Sequence, residues 1–74
     1  MTAEDLAALS RAVRHNVGWL DVPADAEDAL RAMRDRVGRG LFRELGRLPA
    51  NSPNITFKIT EEGRAAAACA SLAA

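Results

Sequence analysis

The stretch Ile55-Thr56-Phe57-Lys58-Ile59-Thr60-Glu61-Glu62-Gly63-Arg64-Ala65 changes its periodicity within a single residue. Ile55, Phe57 and Ile59 alternate with Thr56 and Lys58, so an extended strand puts the apolar side chains on one face and the polar pair on the other. Thr60 follows as a helix cap, and Glu61 and Glu62 lie where the positive end of a helix dipole favours carboxylates. The reading is a strand that hands over directly to a helix running from Glu61 to about Leu72. That helix would bury one narrow face, with Ala65, Cys69 and Leu72 on it. A lone strand cannot satisfy its own backbone, so this one requires a partner.

Upstream, Pro49, Asn51, Ser52, Pro53 and Asn54 form a loop. Residues 41–48 before it admit two readings. Leu41, Phe42, Leu45 and Leu48 fit one helical face; alternatively Leu41 to Leu45 is a strand, and the loop returns it into Ile55 as a hairpin. The equivalent strand of a second copy is another partner for Ile55–Ile59.

Two helices are expected before this point. The first runs from about Ala3 to Asn16, opened by a capping box of Thr2 and Asp5, with Leu6, Leu9 and Val13 as its apolar stripe and Val17 and Leu20 extending it. Gly18 ends it, and Trp19 and Leu20 pack in the connection, Trp19 being read as core with a protein-interface anchor as the alternative. Asp21-Val22-Pro23 opens the second helix, with Asp25, Glu27 and Asp28 complementing its dipole and Leu30, Met33 and Val37 as its buried stripe. Gly38-Arg39-Gly40 halts it or bends it.

Seventy-four residues make one small domain. At this length a chain buries only about 60% of its unfolded surface, which favours a homodimer or docking on a larger partner. Charge sums to zero but is unevenly spread. Residues 1–28 set Glu4, Asp5, Asp21, Asp25, Glu27 and Asp28 against Arg11 and Arg14, whereas residues 29–48 set six arginines against Asp35 and Glu44. Such a chain either presents a basic face or pairs its own halves, within one molecule or across a dimer. Nine arginines against one lysine also fit a GC-rich genome. No basic start leads into an apolar run, and no segment is long and apolar enough to span a bilayer, so the expected compartment is the cytoplasm, with no membrane contact.

Ala29-Leu30-Arg31-Ala32-Met33-Arg34-Asp35-Arg36, then Gly40-Leu41-Phe42-Arg43-Glu44-Leu45-Gly46, then the Ile55–Ala65 stretch with its T-x-E-G-R-A string, follow one another as a unit. Residues 29–65 so read resemble the second half of a winged helix-turn-helix domain of the MarR and PadR type: a recognition helix, a first wing strand, and a return strand entering a helix. The resemblance implies a small winged-helix-like α+β domain over residues 1–74, with two N-terminal helices, a β-hairpin wing and a C-terminal helix. It also implies duplex DNA as partner. Arg31, Arg34, Arg36 and Arg39 would serve the reading helix, and Arg43, Arg47 and Lys58 would meet phosphates from the wing.

Against this stand two other readings of the arginines: a solvated face neutralised by the chain's own carboxylates, or contact with an acidic protein surface. A second function class goes with them: a small adaptor or inhibitor, of bacterial or phage type, that binds a larger protein without nucleic acid. Enzymatic activity is not expected, nor any cofactor or metal. His15 is the only histidine and has no ligand-spaced companion, and Cys69 has no nucleophile context. A cap or surface role is expected of His15, and a small buried role of Cys69.

Overall fold

A computed structural model describes residues 1–73, with side chains described through residue 70. The element order is α1 (Ala3–Arg14), β1 (Trp19–Pro23), α2 (Glu27–Gly38), β2 (Phe42–Gly46), β3 (Asn54–Ile59) and α3 (Glu61–Ala73). It is a small α+β domain with a three-stranded antiparallel sheet in the order β1-β3-β2. The expected strand is therefore central and has partners on both sides. Phe57 lies opposite Leu20 on β1 and Glu44 on β2, and Ile59 lies opposite Phe42. A register shift between Glu44 and Gly46 leaves Leu45 as the extra residue of a β-bulge.

Strand alternation sorts the sheet. Leu20, Val22, Phe42, Phe57 and Ile59 are buried against Ala8, Leu9 and Ala12 of α1 and Leu30 and Met33 of α2. Ala66 and Ala67 of α3 pack on the same cluster. Trp19, Asp21, Arg43, Thr56 and Lys58 alternate to the opposite face; the helix residues of the core cluster pack on the first face, and on this one Asp21, Arg43 and Lys58 are exposed while Thr56 is buried.

Three local devices appear as expected. Thr2 and Asp5 close a capping box, each backbone N–H donating to the other's side chain at 3.1 Å. Thr60 accepts from the Gly63 N–H at 3.0 Å and caps α3. Gly40, at φ +82°, ends α2: its N–H reaches the Val37 carbonyl and the Leu41 N–H reaches back to Arg36, a left-handed C-terminal cap. Of the two readings of residues 41–48, the strand is the one adopted, giving the hairpin β2–β3.

Several expectations need correction. Trp19 to Pro23 is a strand, not a connection leading into a helix. Leu20 and Val22 have strand spacing, and the exposed flank of β3 offers backbone partners that a helix at Asp21 would forgo. Pro23 ends this edge strand, where its missing N–H interrupts no ladder, and α2 starts four residues later without a side-chain cap. Val13 and Val17 remain 43% and 47% exposed, because α1 turns Leu9 and Ala12 to the sheet and ends at Arg14. On α3 the buried side is Ala66 and Ala67, leaving Ala65 and Cys69 exposed. Leu72, expected on the buried face, has its side chain outside the described residues. No helix is long and apolar enough to cross a membrane among the described residues.

Candidate nucleic-acid interface

Folding divides the seven basic residues expected at DNA into three sets. Arg36 and Arg39 turn inward to Asp5. Arg36 Nε donates to Asp5 Oδ1 at 2.8 Å, and Arg39 donates to both oxygens, at 2.8 and 3.1 Å. Asp5 is 3% exposed and Arg36 7%. A desolvated carboxylate demands donors, and here the arginines supply them. The Arg39 guanidinium, with the Thr2 N–H and Arg36 adding to it against the opposing effect of burial, holds the Asp5 carboxyl well below the usual carboxylate range. Arg39 also pairs with Asp35 at 2.9 Å. Arg36 is thus buried against the chain's own acidic segment and Arg39 is bound into the same cluster, the self-pairing that the charge distribution allowed.

Arg31, Arg34 and Arg47 form the second set. They line one cleft of about 500 Å³ between α2 and the β2–β3 hairpin, with Leu30 and Ile55 as its apolar lining and Glu27 as its acidic member. Helical spacing puts Arg31 and Arg34 on one side of α2, and the hairpin brings Arg47 across to them. Each is lightly tethered. Arg34 meets Glu44 at 3.1 Å, Arg47 donates to the Ser52 carbonyl at 3.2 Å, and Arg31 lies 3.8 Å from Asp28 with both side chains largely in water. Surface pairs of this kind contribute on the order of 0–1 kcal/mol and exchange readily for another anion.

Arg43 and Lys58 are the third set. They are register partners on β2 and β3, on the face of the sheet opposite the core, and neither has a salt bridge among the described residues. Lys58 is in turn the register partner of Trp19 on β1. The indole, expected in the core, is half-buried and sits at the edge of that face. His15 caps α1 beside it: its Nδ1 accepts from the Val17 and Trp19 N–H groups, each at 3.3 Å, and its ring lies 6.1 Å from the indole at an interplanar angle of 11°.

Sequence reasoning did not find the Asp5 cluster or Trp19's place on the sheet face. The acidic first third and the arginine-rich middle were a usable signal for the former. Nothing in periodicity said which arginines would be taken. Comparisons with known protein families, with curated proteins and with solved structures found no match.

Proposed function

We propose that this chain is a regulator-like domain that binds duplex DNA, with α2 and the β2–β3 hairpin arranged in winged-helix-like fashion around the contact. The observation that carries the reading is the convergence of Arg31, Arg34 and Arg47 on one cleft. Three guanidinium groups from two elements, weakly tethered and open to water, can take successive phosphates or a guanine edge. Glu27, in the first turn of α2, lines the same cleft and opposes phosphate there, so the three guanidinium groups act against one carboxylate.

Fluorescence anisotropy with a labelled duplex pool at low salt tests this reading. Replacing Arg31, Arg34 and Arg47 together by alanine should abolish binding and flatten its salt dependence. Absence of binding by the unaltered chain at low salt would remove the proposal.

A second reading, a protein-binding adaptor, is favoured by one observation. Val13 and Val17 are exposed, and Val13 lines a groove of about 290 Å³ between α1 and α3 with Ala67 and Ala68, rimmed by Arg14 and Arg64. In that case Val13→Glu should abolish a nuclease-resistant complex and leave duplex binding untouched.

A further inference from the structure

The face of the sheet opposite the core goes unused in the reading above, and its chemistry is specific. Trp19, Lys58 and Arg43 form one cross-strand row over β1, β3 and β2. At ordinary strand spacing the row spans about 10 Å. No carboxylate interrupts it. The acidic residue of the face, Asp21, is one row away and accepts the Thr56 hydroxyl at 2.7 Å. His15 lies parallel to the indole at the end of the row and, through its two backbone hydrogen bonds, fixes the turn that carries Trp19.

We propose that this face binds single-stranded nucleic acid, a base stacking on Trp19 while Lys58 and Arg43 hold neighbouring phosphates. A π-surface beside two cations that have no salt bridge among the described residues complements a strand whose bases are splayed from its backbone. A duplex does not fit the same chemistry, because its bases are stacked on one another and closed to the indole. The inference stands apart from the duplex reading, since the cleft is lined by Leu30 and Ile55, which belong to the helix-covered side of the sheet.

Trp19 is the single tryptophan of the chain, so its emission reports directly on the site. The full chain is titrated at low salt with an oligothymidylate of about fifteen nucleotides, with an oligouridylate of the same length, and with a duplex. Saturable quenching by either single strand is expected, the two arms separating DNA from RNA. By anisotropy of a labelled strand, Lys58→Ala and Arg43→Ala should each weaken binding and lower the salt slope by about 0.7. Trp19→Phe should weaken it roughly fivefold. Lys58 and Arg43 are exposed, so their removal leaves folding intact and those two variants decide the matter. The Arg31, Arg34 and Arg47 triple alanine variant should retain single-strand binding even where it loses duplex binding. Absence of quenching and of anisotropy change would overturn the inference. So would single-strand binding that persists unweakened in Lys58→Ala and Arg43→Ala, or that fails only in the cleft variant.

Discussion

Asp5 Oδ1 accepts from Arg36 Nε at 2.8 Å although the two lie 31 positions apart in the chain. The same carboxylate completes the cap of α1 and receives both nitrogens of Arg39. One side chain therefore starts a helix and ties that helix to the far end of α2.

Asp5→Ala should cost about 3–5 kcal/mol, because it leaves Arg36 buried without a counter-charge and removes half of the capping box. Urea denaturation checks this as a large drop in midpoint. Arg36→Met should cost much less, since Arg39 still neutralises Asp5 and the aliphatic replacement fills similar volume.

The Asp5 cluster also sets an acid limit. Its folded-state pKa is depressed, so the stabilisation is fully present above the unfolded value of about 3.9 and is lost as pH falls below it toward the lower folded value. Thermal melts from pH 6 downward should show a steep loss of stability that Asp5→Asn, already destabilised, largely lacks. Parallel curves for the two proteins would contradict the assignment.

Gly63 is required by close packing. A Cβ there would overlap the carbonyl oxygen of Leu41 and press on the Ile59 side chain, where α3 leaves the sheet. Gly63→Ala should destabilise by about 1–3 kcal/mol in spite of alanine's better helix propensity. An unchanged denaturation midpoint would show that α3 can shift to accommodate it.

Glu44 competes with phosphate for Arg34. Removing its charge in Glu44→Gln should tighten duplex binding severalfold, while stability changes by no more than about 0.5 kcal/mol because the pair is solvent-exposed. Weaker or unaltered DNA affinity in this variant would argue that Arg34 does not face phosphate.

How far the chain could be read from its residues follows from where each signal resides. The strand at Ile55–Ile59, the cap at Thr60, the box of Thr2 and Asp5 and the stop at Gly40 are local: each depends on side chains within a few positions of the backbone groups they satisfy. Local chemistry survives folding, and these features stand in the structure as their residues imply. Trp19–Pro23 was illegible because five residues with Pro and Asp among them look like a turn until β3 supplies the other half of the ladder.

The division of the arginines was settled elsewhere. Thr2, Asp5, Arg31, Arg36 and Arg47 carry the same charges and hydrogen-bonding groups in any conformation, so composition alone establishes that an acidic segment and a basic one must coexist. Which guanidinium meets which partner depends on distances that exist only once α1 and α2 lie together over the sheet. Packing buries Asp5 and obliges it to recruit Arg36 and Arg39, the hairpin carries Arg47 to Arg31 and Arg34, and strand register sets Trp19, Lys58 and Arg43 in a row. Coulombic and desolvation energies vary with separation and burial, and neither quantity is defined along an unfolded chain.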